Sequence, residues 1–289
     1  MRARTAVIPA AGLGTRFYPV TKAVPKELLP IVDVPALQLV LDEAIAAGCD
    51  RIVVVSHPTK SPVERYLTPD PAVVEKVRAS GRGDLADRLA RIGRDVDVVV
   101  VHQDAPRGLG HAVGCARDAV GGEPFAVLLP DEIMGDASLL TALADAVETT
   151  DVSAVGLMRV PMEQVSAYGV VTPAPGAPEA GPVSILDVVE KPLRQDAPSD
   201  LIIIGRYVIT PDVFDEIEGL APHANGEIQL TDALRNQAAR SPLTGLLNTS
   251  RRWDTGTPLG WLGAVVDAAL ARADIAGDVR AMLVDRLGN

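Results

Sequence analysis

PAAGLGTRFYPVTKAVPKELLP, residues 9–30, is the stretch around which the rest of the chain is organised. It follows the apolar run TAVI, residues 5–8, which is typical of a buried strand. Its turn carries Gly12 and Gly14, and Pro19, Pro25 and Pro30 forbid an α-helix across most of it. Its cations are Arg16, Lys22 and Lys26. Such a loop suits a polyphosphate, because backbone N–H groups approach the oxygens where there is no Cβ and basic side chains supply charge. Taken alone, the stretch also fits an ordinary surface loop.

The composition limits both the fold and the partners. The chain has 289 residues, of which 47% are hydrophobic and only 3% aromatic. The core must therefore be built from Val, Leu, Ile and Ala, which suits α/β layers. The formal net charge of −11 argues against non-specific binding to nucleic acid or to anionic membranes. An anionic substrate would then need a local basic pocket, which residues 9–30 can provide.

Two features bear on the compartment. Cys49 and Cys115 lie inside apolar helical patterns, so we interpret them as buried thiols rather than a disulfide, and they allow no Cys-rich metal site. The opening residues MRARTAVIPAAG lack a long apolar segment, and no later run reaches membrane-spanning length without charge. We expect a soluble cytoplasmic protein without a membrane partner.

The first half alternates strands and helices. After residues 9–30 the pattern predicts a helix at 35–47, a strand at 51–56, a peripheral helical excursion at 60–95, a strand at 95–101, a helix ending near 120 and a strand at 125–130. This alternation predicts a right-handed parallel α/β layer.

The second half, from about residue 152, is richer in short β-type runs. The Pro/Gly/Ala-rich stretch 172–182 is typical of a hairpin or loop. We therefore expect an antiparallel extension of the same sheet. Helices at 211–217, 231–239, 258–272 and 278–287 and a strand at 243–247 complete the predicted elements.

Two aspartates are candidate metal ligands. Asp131 directly follows the predicted central strand 125–130, at the edge where ligands of open α/β sheets bind. Mg²⁺ takes one or two carboxylates together with substrate phosphates. Asp254, in WDTGT between a strand and a helix, is the candidate for a second metal carboxylate. Both also fit turn or N-cap roles.

Glu190 and Lys191 end a predicted strand that Pro192 stops. Adjacent strand residues point to opposite faces, so both enter one site only if the strand ends or kinks there. In that case Lys191 would hold a phosphate and Glu190 would accept hydrogen bonds from sugar hydroxyls. A solvated charge pair is the alternative.

Gln103 lies in a loop that follows a predicted strand, and its amide offers the donor and acceptor needed to read a nucleobase edge. Gly108 and Gly110 precede a helix, and that loop also fits a simple helix start. His102 and His111 stand apart from other ligand types, so we interpret both as structural rather than as zinc ligands.

Seven segments together closely resemble, in order and spacing, the bacterial UTP–glucose-1-phosphate uridylyltransferases. They are GLGTRFYPVTKAVPKELLP, GLGHAV, LPDE, YGVV, VVEKP, IGRYV and GEIQLTDA, and the resemblance runs from about residue 5 to about residue 270. It implies an α/β, Rossmann-like nucleotidyltransferase fold, in which a mixed, mainly parallel central sheet is flanked by helices and carries a β-rich sugar-binding extension. It further implies a single domain over residues 1–289, with a nucleotide-binding part at 1–150, a sugar-binding part at 151–257 and C-terminal helices at 258–289.

The resemblance also implies roles for individual residues. The nucleotide would be held by Ala10, Ala11, Gly12, Gly14, Gln103 and Gly108. The triphosphate, and above all the leaving pyrophosphate, would be held by Arg16 and Lys26. Mg²⁺ would be bound by Asp131, with Asp254 as second ligand or outer partner. The glucose site would be lined by Gly169, Glu190 and Gly205, with Glu227 and Gln229 in its wall. Lys191 would hold the sugar phosphate.

The implied reaction joins UTP and glucose 1-phosphate into UDP-glucose and pyrophosphate, with Mg²⁺ as cofactor. A sugar phosphate is mostly dianionic at neutral pH, since its second pKa is about 6, so no general base is needed. The family also implies a homodimer or homotetramer, formed through the C-terminal helices.

Some residues depart from the family pattern, and other functions must be considered. Tyr18 and Asn225 are unusual for the family, and WDTGT is closer to thymidylyltransferases. A preference for dTTP or another sugar phosphate is therefore an alternative. A catalytically silent regulatory homologue is a separate one, and the presence together of Arg16, Lys26, Asp131, Glu190 and Lys191 speaks against it. A dinucleotide-dependent oxidoreductase is a weaker one, because Phe17 breaks the G-x-G-x-x-G spacing and no acid ends the second strand.

Overall fold

A nine-stranded sheet forms the centre of the computed structural model, which describes residues 2–179 and 181–288. Its strands are β1 (Thr5–Pro9), β4 (Arg51–Ser56), β5 (Asp97–His102), β6 (Phe125–Leu128), β8 (Ala154–Arg159), β9 (Gly169–Pro173), β10 (Pro182–Glu190), β11 (Leu201–Ile209) and β12 (Leu243–Leu247). Their order across the sheet is β5-β4-β1-β6-β11-β8-β12-β10-β9. Two small ribbons accompany the sheet: β2 (Pro30–Ile31) with β3 (Val34–Pro35), and β7 (Glu132–Met134) with β13 (Arg252–Asp254).

The first four strands of this order, β5, β4, β1 and β6, are parallel to one another. Their Val-rich runs suit strands that helices cover on both faces, and the interior residues of β1 and β4 are fully buried. The parallel layer predicted from the sequence is thus confirmed, and it brings the loops after these strands to a single edge.

The second part of the sheet is mixed. β11 runs antiparallel to both β6 and β8, β12 runs parallel to β8, and β10 runs antiparallel to β12 and β9. Among the described strands, only β11 and β10 therefore oppose the common direction. The predicted hairpin at 172–182 joins β9 to β10, and residue 180 of that stretch lies outside the described residues. The predicted fold class is confirmed: the sheet is mixed, mainly parallel and extended by antiparallel strands.

Helices cover both faces of the sheet. They are α1 (Ala36–Ala46), α2 (Ser61–Leu67), α3 (Pro71–Ala79), α4 (Gly83–Ala90), α5 (Gly108–Gly114), α6 (Arg117–Val120), α7 (Ser138–Thr150), α8 (Val213–Gly219), α9 (Leu230–Arg240), α10 (Pro258–Ala271) and α11 (Ala276–Leu287). One apolar core lies under α1 and α7, and the other lies under α5, α8 and α9. The excursion at 60–95 consists of α2, α3 and α4, as predicted.

The last two helices leave apolar side chains on the surface. Leu259 and Leu262 on α10, and Val284 and Leu287 on α11, are at least half exposed. Across residues 2–179 and 181–288, every helix is too short or too polar to cross a bilayer.

Candidate active site

The loop after β1 is open to ligands on one side. The Ala10 N–H donates to the Val55 carbonyl at 2.7 Å, which holds the start of the loop against β4. Ala10 and Ala11 are buried, but a Cβ on Gly12 would meet nothing within 4 Å. Gly14 has a φ of +64°, in the left-handed region that favours glycine. A ligand can therefore approach the backbone at this turn.

The remainder of residues 9–30 contains short helical turns that the prolines did not suggest. Three 3₁₀ helices occur, at Thr15–Phe17, Val20–Lys22 and Lys26–Leu28. Each has three residues, short enough to fit between prolines that exclude an α-helix.

A buried ion pair, which sequence reasoning missed, supports the loop from below. Lys60 is 7% exposed and Glu27 is 1% exposed. The Lys60 ammonium lies 2.9 Å from Glu27 Oε2 and donates to the carbonyls of Ala10 at 2.7 Å and Gly12 at 2.5 Å. The pair thus fixes the path of the loop. The sequence carries no local signal of it, because its partners are 33 positions apart.

Asp131 and Lys26, both predicted site residues, form an ion pair with Lys26 Nζ 2.6 Å from Asp131 Oδ2. Burial alone would raise the pKa of the Asp131 carboxyl, but the Lys26 ammonium and its hydrogen bond outweigh burial and hold that pKa below its usual range. Burial would lower the pKa of Lys26, but Asp131 raises it above its ordinary value. Both groups are therefore charged at neutral pH.

Asp254 and Arg16 meet this pair around Gly256. A Cβ on Gly256 would lie 3.0 Å from Asp254 Oδ1, 3.3 Å from Asp131 Oδ2 and 3.6 Å from Arg16 Nη1. The glycine thus leaves space between the two carboxylates. Four predicted residues, Arg16, Lys26, Asp131 and Asp254, converge at this point.

This donor set fits Mg²⁺. The ion prefers oxygen ligands and commonly uses one or two carboxylates, with substrate phosphates and water completing its shell. Asp131 and Asp254 supply the carboxylates, and the missing side chain of Gly256 supplies room. The described part of the chain holds no group of three or more His, Cys, Asp or Glu that could bind a metal by itself. A metal here would depend on substrate oxygens.

The small β7–β13 ribbon presents the two carboxylates side by side. Asp254 is paired with Glu132, the residue after Asp131. The N–H and Oγ1 of Thr255 donate to the Asp131 carbonyl at 2.7 and 2.9 Å. Arg252 forms a two-pronged, nearly buried ion pair with Glu132. Sequence reasoning missed Glu132, Arg252 and Thr255, although all three flank predicted residues.

The predicted sugar-side residues lie where β10 ends. Glu190 is paired with Gly169 of β9, and Lys191 has a φ of +44°. This left-handed residue breaks the strand, and Lys191 Nζ lies 3.3 Å from Glu190 Oε1. The Lys191 N–H donates to the Tyr168 carbonyl at 3.0 Å, and the Tyr168 hydroxyl donates to Asp254 Oδ2 at 3.4 Å. Lys191 is thus connected to the carboxylate pair through Tyr168.

Gln103 is nearly buried next to the loop after β1. Its Nε2 donates to the Gly108 carbonyl at 3.1 Å and to His111 Nδ1 at 2.8 Å. Burial and the nearby Arg107 lower the pKa of His111 below its ordinary 6.5, so the ring is neutral at pH 7 and Nδ1 can accept. His111 is therefore structural, as interpreted from the sequence, and the structure adds that it orients Gln103.

The glycines of GLGHAV pack against the segment 227–229. Gly108 has a φ of +92°, and a Cβ on it would lie 2.5 Å from the Ile228 carbonyl oxygen. A Cβ on Gly110 would lie 2.8 Å from the Gln229 carbonyl carbon. These glycines allow the nucleotide-side loop to contact the segment that leads into α9.

The start of α9 reaches the sugar-side residues. The Thr231 hydroxyl donates to Glu190 Oε2 at 2.7 Å, and a Cβ on Gly169 would lie 3.4 Å from Thr231 Oγ1. Gln229 Nε2 donates to Glu227 Oε2 at 2.7 Å. Gly108, the segment 227–229 and Glu190 thus form one continuous wall.

Gly205 has surroundings that the sequence did not suggest. A Cβ on it would lie 2.7 Å from Leu129 Cβ and 2.8 Å from Glu132 Cγ. That side of Gly205 is filled by the protein, and its place in the glucose site stays a prediction.

The profile of the nucleotidyl transferase family matches residues 5–269 of this chain. The chain is 39% identical over 270 residues to the UTP–glucose-1-phosphate uridylyltransferase of Bacillus subtilis (strain 168), an alignment that spans 93% of this chain and 92% of that protein.

Solved structures resemble the fold over nearly its whole length. One is a UDP-glucose pyrophosphorylase complexed with UDP-glucose, with a TM-score of 0.85 and 36% identity over 93% of this chain and 100% of that one. Another is the UTP-bound enzyme of the same type from Acinetobacter baumannii, with a TM-score of 0.86 and 33% identity over 98% of this chain and 99% of that one.

Proposed function

The chain belongs to the nucleotidyl transferase family, and from that membership we propose that it makes UDP-glucose and pyrophosphate from UTP and glucose 1-phosphate. The relatives named for this reaction align over nearly their full length, and similar structures carry UTP or UDP-glucose. The observation that carries the proposal is the convergence of two cations and two carboxylates around Gly256. Such a cluster suits a reaction in which two anions must meet.

The nucleotide occupies the loop after β1 in this proposal. The backbone of Ala10, Ala11, Gly12 and Gly14 faces the base and ribose, and Gln103 with Gly108 reads the uracil edge. In support, Gln103 is held in one orientation by Gly108 and His111. These two bonds use both N–H groups of the Gln103 amide, so in this proposal its Oε1 is the atom that accepts from the uracil N3–H.

The sugar phosphate occupies the other side of the cluster. Glu190 accepts hydrogen bonds from glucose hydroxyls, Gly169 and Gly205 line the sugar, and Lys191 holds the phosphate. The contact between Lys191 and Glu190 and the contact between Glu190 and Thr231 support this assignment. They place an acceptor and a cation together at the end of β10.

Asp131 and Asp254 would hold Mg²⁺ in the proposed complex. Bound there, the ion would supply positive charge to the phosphate oxygens and to the transition state. Lys26, which pairs with Asp131 in this structure, is then close enough to the cluster to contribute a phosphate contact.

The reaction needs positioning rather than a base. A dianionic oxygen of glucose 1-phosphate attacks the α-phosphorus of UTP, and the bond from that phosphorus to the bridging oxygen of the β-phosphate breaks. The bridging oxygen keeps the electron pair and leaves with pyrophosphate. Arg16 and Lys26 stabilise the negative charge on this leaving group, and Lys191 orients the attacking phosphate.

Pyrophosphate release tests the proposal. The protein is mixed with MgCl₂, glucose 1-phosphate and one of four nucleoside triphosphates or dTTP, and the product sugar nucleotide is identified by mass. We expect release with UTP and UDP-glucose as product, and Asp131→Ala should abolish metal-dependent turnover. A preference for dTTP or for another sugar phosphate would redirect the substrate assignment, and no release with any pair would contradict it.

The exposed apolar side chains of α10 and α11 offer a surface for self-association. We propose a homodimer or homotetramer that covers the exposed apolar residues of α10 and α11, such as Leu259, which is 81% exposed. Sedimentation velocity measures the mass, and a monomer at all concentrations would contradict the proposal. A cytoplasmic location stays a prediction, which cell fractionation can check.

A further inference from the structure

Arg206, in the middle of β11, is 0% exposed, and hydrogen bonds engage its whole guanidinium group. Nε and Nη2 donate to the two carboxylate oxygens of Glu43 on α1, at 2.7 and 2.6 Å. The remaining bonds go to three backbone carbonyls: Nη1 to Gly205 at 2.7 Å and to Leu129 at 3.2 Å, and Nη2 to Glu132 at 2.7 Å. Five bonds match the five N–H groups that a guanidinium carries.

Two of these carbonyls bracket the metal-binding candidate. Leu129 and Glu132 lie on either side of Pro130 and Asp131, in the turn between β6 and β7. Arg206 therefore holds both ends of the turn that presents the Asp131 carboxylate. Its hydrogen bonds end at Glu43 and at the backbone of Gly205, Leu129 and Glu132, and not at the open space beside Gly256.

Gly205, next to Arg206, also contacts the turn after β6. Its carbonyl accepts from the Leu129 N–H at 3.0 Å, and a Cβ on it would collide with Leu129 and Glu132. The pair Gly205–Arg206 thus fits the turn closely by shape and by hydrogen bonding. One function of Gly205 is to admit the turn.

A buried ion pair is weak evidence for stability alone, because apolar residues of similar volume often stabilise a core as well or better. The bonds to Leu129 and Glu132 are different, since an apolar replacement cannot make them. They define where the turn, and with it Asp131, must lie. Partners behind a metal ligand commonly govern metal affinity by orienting that ligand.

We propose that Arg206, neutralised by Glu43, is a positioning residue that fixes the Asp131 turn in the arrangement that binds the divalent metal with the nucleotide. This proposal rests on the proposed function, and it concerns residues that lie outside the substrate site. A purely structural role for the ion pair is the competing explanation.

The test replaces both charges at once. Arg206→Met combined with Glu43→Leu removes the carbonyl contacts without leaving an unpaired buried charge, so the fold should persist. Mn²⁺, which like Mg²⁺ prefers carboxylate ligands, is titrated with enzyme and UTP in the absence of glucose 1-phosphate, and free Mn²⁺ is followed by electron paramagnetic resonance. We expect the apparent Kd for Mn²⁺ to rise about 10-fold or more, with the KM for glucose 1-phosphate unchanged.

A matched control removes an ion pair from the same helix. Asp42, the neighbour of Glu43 on α1, pairs with Arg88 of α4, and neither residue contacts the turn. Arg88→Met with Asp42→Leu should leave Mn²⁺ affinity at the wild-type value. A similar weakening in both double variants would point to a general loss of structure and overturn the positioning role.

A second variant guards against misfolding. Arg206→Lys keeps a cation beside Glu43 but cannot reproduce the guanidinium fork, so it should also weaken Mn²⁺ binding. Wild-type affinity in a folded variant, or failure of both variants to fold, would overturn the proposal in favour of a structural role. If the wild-type protein itself releases no pyrophosphate from UTP and glucose 1-phosphate, the proposed function fails instead. The kinetic assay on the wild-type protein thus separates failure of the proposed function from failure of the positioning role.

Discussion

Lys191 shows how one backbone angle decides which side chains share a site. A regular strand would send Glu190 and Lys191 to opposite faces, but the φ of +44° at Lys191 ends the strand there. Residues other than glycine occupy this region at a cost of roughly 1–3 kcal/mol. The surrounding structure supports it through the hydrogen bond from the Lys191 N–H to Tyr168. The geometry brings an ammonium and a carboxylate together beside the cluster.

Removing the Lys191 side chain should impair use of the sugar phosphate. We expect Lys191→Ala to lower kcat/KM for glucose 1-phosphate about 10- to 100-fold, as the loss of a charged contact implies, with little change in the KM for UTP. Arg194→Ala is the control, since Arg194 is 64% exposed and pairs only with Glu163 among the ion pairs of the described residues. Steady-state kinetics decide the matter, and an unchanged KM and kcat for glucose 1-phosphate would contradict the assignment of Lys191.

We predict that His111 makes UTP binding sensitive to acid. Its pKa is lowered from the ordinary 6.5 by burial and Arg107, so the neutral ring that accepts from Gln103 prevails above pH 6.5. As the pH falls through the lowered pKa, Nδ1 gains a proton and can no longer accept. We expect the KM for UTP to rise about fivefold through this loss, the equivalent of one neutral hydrogen bond.

The nucleotide itself also titrates in this range, so a variant is needed as reference. His111→Asn offers an acceptor near Nδ1 that does not titrate. The ratio of the KM for UTP at pH 5.5 to that at pH 7.5 should be larger in the wild-type protein than in the variant. Equal ratios would mean that His111 does not control Gln103.

At the scale of elements, the β7–β13 ribbon assembles the carboxylates from parts far apart in the chain. Asp131 precedes β7 and Asp254 ends β13, and the ribbon's pairing sets their spacing. The ribbon is attached to α10, because the Trp253 indole N–H donates to Asp267 Oδ2 at 2.7 Å. Helix α10 therefore supports the ribbon that carries Asp254.

Adding one methyl group at Gly110 tests the contact between α5 and the segment 227–229. Gly110→Ala would place a Cβ 2.8 Å from backbone at Gln229, so we expect a loss of about 1–3 kcal/mol in the free energy of unfolding. The displaced segment leads to Thr231, so the KM for glucose 1-phosphate should rise as well. Urea unfolding and kinetics measure the two effects.

Gly263→Ala provides the comparison for this change. Gly263 also lies in a helix, α10, but a Cβ on it would meet nothing within 4 Å. Helix propensity alone then predicts a gain of up to about 1 kcal/mol. If both substitutions stabilise the protein, the close approach at Gly110 does not constrain the fold.

At the scale of the whole molecule, the sheet crosses the boundary between the predicted nucleotide and sugar parts. β11, from the second part, lies between β6 of the first part and β8. Arg206 on β11 holds the turn after β6. The two parts therefore share one sheet.

We therefore predict one cooperative unfolding transition, in keeping with a single domain over residues 1–289. The fluorescence of Trp253 and Trp261 reports on the C-terminal part, whereas far-ultraviolet circular dichroism reports on the whole chain. Urea curves from the two probes should coincide. Separate midpoints, or two calorimetric peaks, would indicate that the parts fold independently.

The net charge of −11 contrasts with the cations of the site. The sequence predicted this contrast, since residues 9–30 carry Arg16 and Lys26 on a glycine-bearing loop. Lys26 pairs with Asp131, whereas Arg16 Nη1 donates to the Gly256 carbonyl at 3.4 Å. Asp131 thus holds Lys26, and the Gly256 carbonyl holds Arg16, next to the open space at Gly256.

The sequence by itself determined the parallel first half and the mixed extension, but it indicated neither α7 nor the β7–β13 ribbon. It also indicated the residues at strand ends, such as Asp131, Glu190 and Lys191. Periodicity and turn residues report on neighbours along the chain, and the loops after parallel strands share one edge, so these predictions needed only local information.

Tertiary structure alone decided the supports behind the site. Lys60 reaches Glu27 across 33 positions, and Arg206 reaches Glu43 across 163. A charged residue in an apolar run looks the same in the sequence whether it faces water or a distant partner. Only packing removes the water and makes such a pairing necessary, and therefore only the folded chain reveals it.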